Sequence, residues 1–400
     1  MKKIFIFAIF FSFLIFSNGF LFAKSNKSSA EKNKMELFSK KTPSIYKSFL
    51  PHIQSVGLTT TKEELGDKQT VLAFRHHFNE ITSGKEINIE NILPKTPQRL
   101  KTFTASDGNT YKVPDLLDMS CIFALLQDAR DSQIAVRLHL LINQTTTPTY
   151  FFYEDYDTAK NLVKKEEMNA RLEWYIKTII EYVINWQKHW SKTRNIVHSL
   201  DVISEIFSDD GTLKSGASSM WARLYGDETF AVNAFVYATK YGGENFELCY
   251  CDYSLDLQNK LNAVLALTEK IRSAGGKIDQ IGITSHLATD WPNYDNFFNS
   301  IKLLSKNNLK VYIQNLDFSG IKGKNNEKAI FNAYYNFISR CLQNGAYIYG
   351  ISFRGFKKEP SSPFVDLCET PLFESDYSIG STFYAIIKAS EDFKNIKIEE

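Results

Sequence analysis

Eight short apolar runs recur along the chain, at 54–58, 78–82, 134–142, 196–204, 246–252, 278–285, 309–316 and 346–352. Each has the length of a strand and few interior charges. Between them the apolar positions fall into the three-and-four spacing of a helix with one buried face. The clearest such stretches are 168–190, 231–241, 255–274, 294–306 and 326–343. Near-continuous apolar strands alternating with amphipathic helices predict a parallel sheet covered by helices. Eight of them predict closure into a single (β/α)8 TIM barrel. No repeat of solenoid length and no linker interrupts the pattern after residue 45, so one domain is expected over 43–400.

The first 42 residues stand apart. Met1, Lys2 and Lys3 make a basic start, and 4–16 are almost entirely Phe, Ile, Leu and Ala. Ser17, Asn18 and Gly19 break the run, and Ala23 is small enough for a cleavage site. That is the design of a secretory signal peptide over 1–23. Left uncleaved, the same ~20 residues would be long enough to anchor in a bilayer, and only then would a membrane be a partner. Residues 24–42 are rich in Lys and Ser and read as a disordered linker. The expected destination is the periplasm, the cell surface or the extracellular space.

Bulk composition narrows the partners. A net charge of +2 with 23% charged residues argues for neither nucleic acid nor an anionic membrane surface. The five cysteines form no Cys-x-x-Cys pattern, and no His-rich spacing accompanies them, so neither a metal nor a cofactor is expected. Cys249 and Cys251 share one face of a strand and cannot easily pair. Cys341 and Cys368 either pair across a loop or remain free thiols.

In a barrel of this kind the site lies at the C-terminal ends of the strands. Glu205 ends the fourth run and Asn315 lies near the end of the seventh. Their surroundings carry a resemblance. Leu200-Asp201-Val202-Ile203-Ser204-Glu205 is similar to the Trp-Asp-Val-Val-Asn-Glu of glycoside hydrolase family 10, the retaining endo-β-1,4-xylanases. Gln314-Asn315-Leu316-Asp317 is similar to that family's Thr-Glu-Leu-Asp. Further segments resemble the family in order along the chain: Val136-Arg137-Leu138-His139, Cys251-Asp252-Tyr253 and Ile281-Gly282-Ile283-Thr284-Ser285-His286. Asp107 to Pro114 resembles an insertion found in some bacterial members.

The resemblance implies that Glu205 holds the general acid/base position and that Asn315 stands where the nucleophilic glutamate would be. Retaining hydrolysis needs two carboxylates about 5–5.5 Å apart, one to attack and one to protonate the leaving oxygen. An amide is a poor nucleophile. The resemblance also places Glu86, Ser204, Tyr253, His286 and Tyr349 among the sugar-binding positions. Several of these depart from the family pattern: Ser204 replaces an Asn, Thr284 a Gln, Tyr349 a Trp, and Asn143-Gln144 a Trp-His pair. Asp317 reads as structural, and Asp252 and Glu86 are the conceivable replacement bases. The aromatic runs Phe151-Phe152-Tyr153 and Phe297-Phe298 read as packing between barrel and helices.

The expectation is therefore an exported, catalytically impaired barrel that binds β-1,4-linked, xylan-type glycan or a protein partner. The alternative is an active endo-β-1,4-xylanase-type glycosidase using Glu205 with a displaced second carboxylate.

Overall fold

The structure is a computed structural model that describes residues 29–39, 41–84, 87–95, 97, 99–139, 141–191, 194–320, 327–357 and 370–399. The leader predicted over 1–23, Glu86 and Cys368 lie outside the described residues. Eight parallel strands follow in chain order: β1 (Ser55–Thr60), β2 (Glu80–Ser83), β3 (Ala135–Leu138), β4 (Val197–Ser204), β5 (Glu247–Asp252), β6 (Gln280–Ala288), β7 (Lys310–Ser319) and β8 (Ile348–Arg354). Each pairs with its neighbours, β8 returns to β1, and β3 pairs with β4, so the sheet closes. All eight predicted strands are present. Their ends move by at most four residues.

The helices lie outside the sheet and bury one stripe each. Lys165–Trp190 puts Met168, Leu172, Tyr175, Ile176, Ile179, Ile180 and Val183 against the barrel, the spacing its sequence shows. Phe152 meets Trp221 edge-on at 5.0 Å, and Phe297 and Phe298 both pack on Phe337. These aromatic runs are packing, as their sequence suggests. Residues 107–114 belong to an outer antiparallel hairpin, Leu100–Thr104 with Thr110–Pro114. No helix among the described residues is long and apolar enough to cross a membrane.

The stretch read as a disordered linker is shorter than expected. Ser29–Glu36 is helical, Leu37 is buried, and the Leu37 carbonyl bonds His77 Nε2 at 2.7 Å. The Asn33 side chain donates to the Asp376 carbonyl at 3.1 Å. The Lys and Ser content hid these few docking contacts. Burial, with His76 beside it, pushes His77 down to about 3, so it docks the segment as a neutral ring.

The barrel interior is polar at its centre. Arg137 on β3 bonds Asp201 on β4 at 2.6 Å and reaches across to Gln280 on β6 at 2.7 Å. Gln314 on β7 donates to Asp201 at 2.9 Å, and His139 Nδ1 meets the same carboxylate at 2.7 Å. The guanidinium lies 4.4 Å from the ring centroid of Tyr312, whose hydroxyl donates to Glu80 on β2. Strands that are not neighbours in the sheet are thus joined through the interior. Room for the long side chains comes from glycine. A Cβ at Gly282 would sit 2.7 Å from Gln314 Cδ, and one at Gly350 would overlap the Tyr312 ring.

Asp201 is fully buried, which alone would raise its pKa, but Arg137 and then His139 hold it below the usual carboxylate range. Its contribution to stability is therefore complete above about pH 4 and is lost as pH falls toward its folded pKa. Replacing Arg137 by Met leaves that charge buried without its cation. The expected cost is about 3–5 kcal/mol in urea unfolding at pH 7, with a smaller loss in the Arg137→Met, Asp201→Leu double variant. An unchanged midpoint in the single variant would show that the pair does not hold the barrel.

Candidate active site

The C-terminal ends of the strands form the mouth. Glu205 follows β4 directly, with a left-handed backbone at φ 58°. A non-glycine residue adopts that region at a steric cost, so the surroundings must hold it there. They do: Glu205 N–H donates to the Cys251 carbonyl at 2.8 Å, and the Gln144 amide donates to the Glu205 carbonyl. Asn315 also sits at positive φ, 53°, inside a break in β7. The register slips between Gln314 and Asp317 against β6, and between Ile313 and Leu316 against β8. A bulge of this kind re-aims a side chain beside a site. Asn315 N–H donates to Ser352 Oγ at 3.1 Å, and Thr59 Oγ1 donates to Asn315 Oδ1. Because Gln314 and Asp201 touch one layer below, the positions above them on β7 and β4 open into the same mouth.

Most of the predicted site residues come together here. Ser204 closes β4, buried and in register with Cys251 and Asn143. Tyr253 follows β5, and its ring is capped by Lys260 Nζ, 3.3 Å from the centroid, with Lys214 at 5.3 Å. The face covered by Lys260 is closed to a sugar. His286 on β6 bonds Asp317 at 2.9 Å, and Arg354 approaches both, 3.8 Å from the carboxylate and 3.4 Å from the imidazole. Asp317 is held by these two side chains.

Tyr349 is a correction. It lies at the start of β8, where Gln54 N–H bonds its carbonyl and Lys310 covers its ring at 4.8 Å. Five residues of strand, about 16 Å, separate it from the mouth. The β8 residue at the mouth is Arg354, in register with Thr59. The apolar run alone did not reveal where along it the mouth begins.

Other groups at the mouth carried no sequence signal. Lys214, from the loop after β4, brings Nζ to 3.7 Å from Glu205 Oε2. Thr59 is an ordinary strand residue until the barrel closes. Asp252, a conceivable base, is fully buried, bonded by Tyr250 Oη at 2.5 Å, Lys260 Nζ at 3.0 Å and Tyr253 N–H at 2.9 Å. One cluster among the described residues, His139, Asp201 and Cys251, has ligand-type atoms within 4.8 Å of one another. Its carboxylate is already engaged by Arg137, His139 and Gln314, and burial drives the Cys251 thiol well up, so an ion would have to displace an ion pair.

Comparison with known proteins places the chain in a family. The profile of glycosyl hydrolase family 10 covers residues 44–389. The chain belongs to glycosyl hydrolase family 10. Among family relatives, it is 29% identical over 301 residues to the bifunctional endo-1,4-beta-xylanase XylA of Ruminococcus flavefaciens, spanning 75% of this chain but only 30% of that protein. It is 32% identical over 231 residues to a putative endo-1,4-beta-xylanase of Caldicellulosiruptor saccharolyticus, spanning 56% of this chain and 70% of that one. The fold is shared with the intracellular xylanase of Thermoanaerobacterium saccharolyticum solved with xylotetraose. That likeness has a TM-score of 0.70 at 21% identity and covers 87% of this chain and 99% of the other. A xylanase 10B fragment of Clostridium thermocellum complexed with xylohexaose matches at TM-score 0.69 and 20% identity, over 86% of this chain and 66% of that one.

Within this family-10 barrel Asp252 is unusual in its titration. Burial raises it to about 6 although Lys260 opposes the shift. Between about pH 4 and 6 the folded chain keeps a proton that the unfolded chain has released, so this group makes stability fall as pH rises through that window. Carboxyl-carbon NMR of the protein and of Asp252→Asn should show one resonance with a midpoint near 6, absent in the variant. A midpoint below 4 would mean that Lys260 outweighs burial.

Proposed function

We propose that this chain is an exported family-10 barrel that binds β-1,4-linked, xylan-type glycan at its mouth without efficient hydrolysis. The observation that carries the reading is what surrounds Glu205. The position implied for the nucleophile holds an amide, Asn315, bonded to Thr59, and the group beside Glu205 is the Lys214 ammonium. A retaining pair works because one carboxylate attacks while its charge keeps the other protonated. An ammonium beside the acid supplies neither effect. An amide at the nucleophile position leaves the attacking step without a group, and loss of a nucleophile elsewhere costs about 10⁶ in turnover.

The competing reading is an active glycosidase with a displaced second carboxylate. Two observations weigh against it. Asp252 is buried and tied to Lys260, and Asp317 is tied to His286 and Arg354. Neither is free to activate a water. Glycan binding itself is supported by family membership and by relatives solved with xylo-oligosaccharides. Affinity is expected to be weak, because Tyr253 has one ring face occupied and Arg354 rather than an aromatic residue ends β8.

The purified chain is expected to release no more than traces of reducing sugar from xylan and to bind xylohexaose with a Kd of about 1 mM by calorimetry. Robust turnover that disappears in Glu205→Gln would overturn the impaired reading in favour of a displaced base. Asn315→Glu should fold, since the Thr59 hydroxyl can donate to either side chain, and should act slowly on an aryl β-xylobioside. Its rate should stay about 10²-fold or more below a well-aligned enzyme because the sugar is poorly held. Export is tested by the N-terminus of the secreted protein, expected just after Ala23. Recovery of the intact leader in the membrane fraction would make it an anchor.

A further inference from the structure

At the opposite end of the barrel from the mouth, a cavity of about 670 Å³ opens beneath β2, β3 and β4. Its floor is Phe78, Ile134 and Ile196, the residues leading into those strands. Its walls bring in Lys47, Arg75, Arg130 and Arg194 from separate elements, with His76 beside Arg75. On a chain whose net charge is only +2, this is a marked local concentration of cations.

Two of these cations, Arg75 and Arg194, are positioned without being neutralised. Arg75 donates to the Gln133 side-chain oxygen and Arg194 to the Gln133 carbonyl, both at 2.9 Å. Gln133 itself sits at φ 56°, closing the helix Ser120–Ser132, so its one residue fixes both guanidiniums. A carboxylate there would cancel the charge; an amide orients it and leaves it available. Among the described residues neither of these arginines, nor Lys47, has a carboxylate within ion-pair distance. Arg130 is bonded at 2.7 Å to Asp131, which is exposed and, among the described residues, is the only acidic side chain paired with a cation of this wall. His76 spends its Nε2 on the Thr42 carbonyl.

An aromatic face completes the cavity. Trp190 ends the helix Lys165–Trp190 with 48% of its surface exposed, and the Arg130 guanidinium lies 5.9 Å from its ring centroid. Exposed indole offers a flat surface for the C–H face of a pyranose ring, and oriented guanidiniums pair with carboxylates in fork geometry. A bare phosphate would use the cations and leave the indole idle.

We infer that this cavity binds an acidic glycan, its uronate carboxylates held by Arg75 and Arg194 and a sugar ring stacked on Trp190. The choice of a sugar rests on the glycan-binding reading of the barrel; the choice of an acidic one rests on the cavity. The ligand would lie on the face away from Glu205, so the two sites can be occupied together.

The test is calorimetry of the full chain at low salt with tri-galacturonate, its methyl ester and xylohexaose. The acid is expected to bind, and the ester about tenfold more weakly or worse. Arg75→Gln with Arg194→Gln, and separately Trp190→Ala, should each weaken the acid about tenfold and leave xylohexaose unchanged. All three side chains are exposed or at an element's end, so the variants should fold, and the acid–ester comparison needs no variant. Equal binding of acid and ester overturns the inference. So does a loss confined to Glu205→Gln, which would place the acid in the mouth. Pyrophosphate displacing the acid with full affinity in Trp190→Ala would mark a site for any anion and overturn the glycan assignment. Binding of the acid with no binding of xylohexaose would remove the mouth reading and leave this one standing.

Discussion

The Arg137–Asp201 ion pair is the interaction on which the rest of the barrel depends. Two charges at the centre of a protein are costly to desolvate, and the cost is met only when every lone pair and N–H has a partner. Here the partners come from across the interior: Gln280, Gln314 and His139 around the pair, with Tyr312 stacked on the guanidinium. The requirement explains features that would otherwise look unrelated. Gly282 and Gly350 lack side chains because Gln314 and Tyr312 need the space. Asp201 sits four residues before Glu205 and Gln314 one before Asn315, so satisfying the pair also sets the height and direction of both mouth residues.

Above that layer the mouth carries Glu205 just after β4 and Asn315 near the end of β7. Glu205 and Asn315 both hold left-handed backbones in which only a firm surrounding would keep them. The ionisable groups around them are spent on one another: Glu205 on Lys214, Asp317 on His286 and Arg354, Asp252 on Lys260. A site whose charges are mutually satisfied can still offer hydrogen bonds to a neutral sugar. The two ends of the barrel differ in this respect. At the N-terminal end two guanidiniums are held by Gln133 and, among the described residues, by no carboxylate, so charge that is cancelled at the mouth is left exposed there.

Much of this was legible from the chain alone, for reasons that are local. Eight apolar runs alternating with amphipathic stretches leave few ways to bury both kinds of face, and the closed barrel is the one that needs no edge. Position within a run was less legible. Tyr349 and Arg354 belong to the same strand, and only the pairing of β8 with β1 showed which of them reaches the mouth. The order of segments identified Glu205 and Asn315, because both are tied to strand ends by short, well-patterned sequence.

What the sequence determined by itself was the barrel, the strand ends at which Glu205 and Asn315 lie, and the packing role of the aromatic runs. Each follows from periodicity or from residue type at a strand end. Only the tertiary structure decided which charges meet. Lys214 beside Glu205, Thr59 on Asn315, Lys260 over Tyr253 and Gln133 between Arg75 and Arg194 join residues from 7 to 256 positions apart. Ion pairs and hydrogen bonds act over a few ångströms in space, and nothing in the linear spacing of such residues records that closure of the barrel will bring them within that range.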